Sequence, residues 1–130
     1  MKLNFTKLSI YLIFHLLILY NFACTQKENS NLLIQKWLLT EIKDQTRIQK
    51  FQDEGEIYFL EFHKDGYAEG YLYGMHINAE WRVNGKREIY ILDKTAPPIF
   101  FYIKQLDESK LILLTMENDK EVELKFDPGG

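Results

Sequence analysis

The segment from Glu56 to Tyr73, EIYFLEFHKDGYAEGYLY, decides the fold. Its first half alternates at the strand period of two, with Tyr58, Leu60 and Phe62 on one face and Glu61 opposite. Lys64-Asp65-Gly66 then reads as a three-residue hairpin loop, with Gly66 taking the left-handed backbone that glycine adopts cheaply. That loop pairs Phe62 with Ala68, Leu60 with Gly70 and Tyr58 with Leu72. Ala68, Gly70 and Leu72 then point inward, and Tyr67, Glu69, Tyr71 and Tyr73 line the outer face. A two-residue loop would invert the second strand and aim the tyrosines and Glu69 inside, as a polar-aromatic cavity. The position of Gly66 favours the first register.

The same rhythm extends both ways. Upstream, Leu32 to Lys36 reads as one helical turn or a lead-in, Trp37 to Lys43 as a strand, and Asp44 to Gly55 as an intervening polar stretch holding Ile48 and Phe51. Downstream, Gly74-Met75 turns into a strand from His76 to Val83, and Asn84-Gly85 is a strong hairpin signal. Arg87 to Asp93, Ile99 to Leu106, Lys110 to Met116 and Lys120 to Phe126 complete the series. Their turns are Lys94 to Pro98, Asp107-Glu108-Ser109 and Asn118-Asp119. Eight short strands at near-regular spacing predict an all-β protein, a small antiparallel up-and-down meander forming a barrel or a strongly curved sheet. No long amphipathic helix is available for a parallel crossover. Pro97-Pro98 leaves open whether the barrel closes or the sheet opens at that edge. Ile77, Ala79, Trp81 and Val83 share a face, as do Ile89 and Ile91, Phe101 and Ile103, Leu111 and Leu113, and Val122, Leu124 and Phe126. Glu80, Arg82, Glu88, Lys104, Glu121, Glu123 and Lys125 fall opposite.

The N-terminal end has a different grammar. Lys2 and Lys7 precede an apolar run from Leu8 to Phe22, and Ala23-Cys24 stands before the polar stretch Thr25 to Asn31. A positive head, an apolar run and a small residue at a boundary describe an export signal over residues 1–23. The run is short of the roughly twenty residues that span a bilayer and carries His15, which argues against an uncleaved anchor. Cys24 is the only cysteine of the 130-residue chain. A lone cysteine makes no intramolecular disulfide, and an exported free thiol is a liability unless it is modified. Residues 24–31 read as a polar tether and residues 32–130 as one domain.

Composition narrows the partners. The net charge is −3, and the export segment carries two lysines and no acid, so the remainder is more acidic still. No basic patch suits nucleic acid, and no polybasic stretch suits anionic lipid. An aromatic content of 15% fits a strand-rich chain.

Two resemblances follow. Ala23-Cys24 after the apolar run resembles the lipobox of bacterial lipoproteins, in which the cysteine takes a diacylglyceryl group and becomes the first residue after cleavage. Asn21 and Phe22 stand where that motif usually has leucine and a small residue. The domain itself resembles the lipocalin-like domains of Bacteroidetes-type lipoproteins, through Trp37-Leu38-Leu39-Thr40, Phe62-His63-Lys64-Asp65-Gly66, Trp81-Arg82-Val83-Asn84-Gly85 and Lys110-Leu111-Ile112-Leu113. Gln35 replaces the glycine that the family usually places two before the first tryptophan. The resemblance covers about Leu33 to Phe126. It implies a small β-barrel, attachment to the outer membrane through a lipid on Cys24, facing the periplasm or the surface, and no agreed catalytic residues.

The chemistry-bearing residues point to binding rather than catalysis. Trp37, Phe62 and Trp81, beside the small inward residues Ala68 and Gly70, are candidates for holding a small apolar or aromatic ligand. The plain alternative is that they pack the core. Tyr67, Tyr71 and Tyr73 are candidates for a protein-partner surface, with Tyr90, Phe100 and Tyr102 as a second outer aromatic group. His63 and His76 are the only histidines after residue 23, Lys64 beside His63 would repel a cation, and no spacing along the chain supplies three metal ligands. Ser30 and Ser109 are the only serines there, in the tether and a turn, without a nucleophile-elbow context. The expectation is a non-catalytic protein with no cofactor.

Overall fold

The computed structural model describes residues 30–51, 58–72 and 74–129. The expected export segment, Cys24, most of the expected tether, Tyr73 and the start of the strand expected at Glu56 lie outside the described residues. Nine antiparallel strands follow in chain order: β1 (Lys36–Lys43), β2 (Ile48–Lys50), β3 (Phe59–Phe62), β4 (Tyr67–Leu72), β5 (Met75–Asn84), β6 (Glu88–Leu92), β7 (Ile99–Leu106), β8 (Leu111–Glu117) and β9 (Lys120–Pro128). From β3 to β9 each strand pairs with the next, and β9 returns to β1, so eight strands close into a barrel with β2 as an addition. Pro97 and Pro98 do not open it. They sit in the connection before β7, whose first residue, Ile99, pairs with Ile91.

The deciding hairpin adopts the three-residue register. Phe62 pairs with Ala68 and Leu60 with Gly70, and Gly66 has φ +88°. Tyr58 departs from the expected alternation. The ladder starts at Phe59, and the Tyr58 ring stacks at 5.5 Å on outward-facing Tyr71. Gly70 serves close approach: a Cβ there would overlap the carbonyl oxygen of Phe59 and lie 3.0 Å from Leu60 Cδ2. Only glycine lets β3 and β4 coil so tightly.

Inward residues from every barrel strand fill the interior, as expected where eight strands close with large side chains. Trp37, Leu60, Ile89, Leu111, Leu113, Leu124 and Phe126 are wholly buried, and Phe62 nearly so. No polar or charged residue is buried among those described. On the outer face, Lys104 pairs with Glu123 at 3.0 Å and Lys125 with Glu41 at 3.1 Å.

The two barrel ends differ. At one, residues 30–33 form a helical turn that takes in the last two residues of the expected tether. Leu33 is fully buried there, and the Trp37 indole donates to the Leu33 carbonyl oxygen at 3.1 Å. Gln35 donates its side-chain amide to the Leu32 carbonyl. This end is stoppered. At the other, β1 changes neighbours. Its first half pairs with β3 through Leu38–Phe59, and its second half pairs with β2 through Glu41–Lys50. The register against β9 shifts between Leu39 and Glu41, and the Thr40 hydroxyl donates to the Lys125 carbonyl. The stretch read as merely polar therefore contains a strand, because the edge of β1 that β3 vacates needs hydrogen-bond partners.

Candidate functional site at the open end of the barrel

The change of neighbours along β1 creates a fork. Tyr58 accepts from the Leu39 backbone N–H at 2.9 Å, and Phe51 donates its backbone N–H to the Thr40 carbonyl at 2.9 Å. Two chain segments thus leave consecutive residues of β1, and their rings meet edge to face at 5.1 Å. Between these rings and β9 lies a cleft of about 220 Å³. Leu39, Ile42 and Val122 form its apolar side, Phe51 and Tyr58 its aromatic wall, and Asp44, Arg47, Gln49 and Glu117 its polar rim. A polar groove of about 230 Å³ continues from it across Asp44, Arg47, Glu117 and Val122 to Asn118 and Lys120.

The rim is built by a local turn. Asp44 Oδ1 accepts from the backbone N–H of Thr46 at 2.7 Å, from its hydroxyl at 2.8 Å and from the backbone N–H of Arg47 at 2.9 Å. These donors, the Thr46 N–H foremost, hold the Asp44 carboxyl down at about 2 from its ordinary 3.8. Arg47 Nε lies 3.5 Å from Asp44 Oδ2, which tethers one end of an otherwise exposed guanidinium. The cleft thus offers an apolar bottom, two ring faces and hydrogen-bond donors at the lip, the composition expected of a small-ligand seat in a barrel mouth. Its volume is below the roughly 300 Å³ at which drug-sized pockets begin, so a single ring or the end of an acyl chain is what it accommodates.

The five residues expected to hold a ligand come together elsewhere. Trp37, Phe62, Ala68 and Trp81 are all buried in the core, and Phe62 meets Trp81 edge to face at 5.1 Å. The neighbouring strand closes off the space above Gly70. Of the outer tyrosines, Tyr67 is exposed, while Tyr71 is half-buried between Tyr58 and His76, the His76 ring being 4.8 Å away. Phe100 and Tyr102 are exposed on β7, and Phe100 packs edge to face on Tyr90 at 5.1 Å.

Comparison of the chain with protein-family models, with curated proteins and with solved structures finds no match. The likeness to lipocalin-like lipoproteins therefore stands on the sequence motifs, and the structure contributes the barrel. Among the described residues no helix is long and apolar enough to cross a membrane.

Sequence reading missed the cleft because its walls belong to no single periodic segment. Leu39, Ile42 and Val122 are ordinary inward residues of β1 and β9, whereas Phe51 lies inside the stretch read as polar and Tyr58 just beyond it. One signal was present. Asp44-Gln45-Thr46 is an Asx-turn sequence, and it marks where the chain doubles back to lay β2 against β1.

Proposed function

We propose that this chain is an exported lipoprotein, anchored to the outer membrane by a lipid on Cys24, whose barrel is a non-catalytic module that binds a small apolar or aromatic molecule at its open end. The observation that carries the binding site is the asymmetry of the barrel. Its interior is filled and one end is stoppered by Leu33, whereas the other end carries a cleft with an apolar bottom and an aromatic wall. The ligand seat is thus Leu39, Ile42, Phe51, Tyr58 and Val122, with Trp37, Phe62 and Trp81 as the packed scaffold beneath. The anchor rests on the order of charge, apolar run and cysteine at residues 2–24. Two acyl chains hold a protein at a membrane where one does not.

Native mass spectrometry of residues 25–130, purified gently from a bacterial host, tests the binding site. The expected result is an adduct that leaves on denaturation and is lost when Ile42→Arg fills the cleft. An adduct that persists in Ile42→Arg places the ligand elsewhere and refutes the seat. For the anchor, Cys24→Ser releases the protein from membranes; continued membrane association means an uncleaved apolar segment instead.

A second reading has its own support in the filled interior and the exposed aromatic residues. A barrel packed by its own side chains that shows Tyr67, Phe100 and Tyr102 to solvent fits a protein-interaction role. A clean apo mass in the same experiment favours it.

A further inference from the structure

We propose that Glu61, His63 and Glu69 form a binding site for a divalent transition-metal cation on the outer wall of the barrel. None of the three residues lines the open-end cleft. Glu61 lies in β3 and His63 directly follows its last residue, two positions on, so continued extended backbone sends both side chains to the same face. The hairpin register places Glu69 of β4 directly across from Glu61. One donor atom from each residue lies within 4.8 Å of the other two, and His63 Nε2 is 2.7 Å from Glu69 Oε1.

The triad carries two carboxylates whose neighbours offset their charge only in part. Two carboxylates directly opposite on one sheet face repel each other. His63 engages only the Glu69 carboxylate; the half-buried Glu61 carboxylate has no hydrogen bond or ion pair among the described residues. Lys36 is the cross-strand neighbour of Glu61 on β1, yet its ammonium sits 4.4 Å from the centroid of the Phe59 ring. On the other side, Glu69 faces the neutral Asn78 of β5. A divalent ion balances two carboxylates and a neutral imidazole in charge.

The donor set and its support suit such an ion. One imidazole nitrogen and two carboxylate oxygens match zinc and its neighbours, at metal–ligand distances of roughly 2.0–2.2 Å, with a fourth position left to water or a partner group. Modest rotation of the glutamate side chains brings the donors to the about 3.4 Å separation of a tetrahedral site. The backbone beneath is held from inside the barrel. The His63 carbonyl accepts from Trp81 Nε1 at 3.0 Å and from the Gly66 N–H at 3.1 Å, and its N–H donates to Tyr67. Rigid elements are where a metal site keeps its geometry. The pattern escapes a search along the chain because the third ligand arrives from across the hairpin.

Equilibrium dialysis of the untagged chain from residue 24 onward against zinc chloride tests the site, with cobalt(II) absorption reporting coordination. The expected result is one zinc per chain with micromolar affinity and a cobalt spectrum of low coordination number. Glu61→Gln, His63→Ala and Glu69→Gln each weaken binding by more than the roughly 10–100-fold that outer-sphere changes cost. His76→Ala, which removes the other described histidine, leaves it unchanged. All four variants lie on the outer face, and thermal unfolding in metal-free buffer confirms that each is folded. Absence of stoichiometric zinc in the wild-type chain overturns the proposal, as does zinc binding that survives Glu61→Gln and Glu69→Gln.

Discussion

The indole nitrogen of Trp81, in the core, donates at 3.0 Å to the backbone carbonyl of His63, whose side chain stands on the outer wall. One residue thus packs the interior against Phe62 and also pins the tip of the β3–β4 hairpin. The two roles separate by substitution. Trp81→Phe keeps most of the ring and loses the donor, leaving the carbonyl with the Gly66 N–H alone; the expected cost is about 1–3 kcal/mol. Trp81→Ala opens a cavity as well and costs about 3–5 kcal/mol. Urea denaturation measures both, and equal losses in the two variants would show that the hydrogen bond, not the packing, dominates.

Gly70→Ala is expected to destabilise by about 1–3 kcal/mol, because the new Cβ has no room between Phe59 and Leu60 and β3 must shift. The measurement is the urea midpoint. An unchanged midpoint would mean that β3 and β4 approach less closely at Gly70 than the overlap of an added Cβ with the Phe59 carbonyl oxygen implies.

The turn between β8 and β9 carries two non-glycine residues in the left-handed region, Asn118 at φ 51° and Asp119 at φ 61°. Asn-Gly is the preferred pair for such a turn. Asp119→Gly is therefore expected to raise stability by about 0.5–1 kcal/mol, read as a higher melting temperature, with no change in the far-ultraviolet circular dichroism spectrum.

Leu33 is wholly buried although it lies before the first strand. Leu33→Ala is expected to cost about 2–5 kcal/mol, as for a core leucine. A loss near zero would show that the helical turn is only laid against the barrel and does not stopper it.

The acid limb of stability has a stated direction. Asp44 is held at about 2 chiefly by the Thr46 N–H, and Asp107 at about 2 chiefly by the Gln105 amide and then the Ser109 hydroxyl, both from an ordinary 3.8. A carboxyl with a lowered folded value binds protons more readily when unfolded. The stabilisation is complete above 3.8 and is lost as the pH falls toward about 2. Asp44→Asn and Asp107→Asn should each lower stability at neutral pH and flatten its pH dependence in that window. Melting temperatures across the acid range check this, and a wild-type curve already flat there contradicts it.

Much of the barrel is legible in the chain because its signals are local. Alternation places Leu60 and Phe62 inward, Gly66 selects the hairpin loop, and Asn84-Gly85 marks the next turn, since each depends on residues a few positions apart. Tyr58 and β2 are less legible. Tyr58 leaves the alternation because Phe51 and Tyr71 offer its ring two aromatic partners. The segment Ile48–Lys50 becomes a strand only because the edge of β1 is vacant there. Its three residues are all exposed, so it carries no apolar pattern to read.

By itself the sequence determined the class of fold, the hairpin register and the chemical singularity of Cys24, since these follow from side-chain periodicity, turn chemistry and composition. Tertiary structure alone decided three things. The barrel closes, because β9 reaches β1. The interior holds Trp37, Phe62 and Trp81 as packing, because closure brings the inward faces of all eight strands into one buried cluster. The cleft and the Glu61–His63–Glu69 triad exist, because each joins residues from different strands, and cross-strand proximity is set by register and closure and not by distance along the chain.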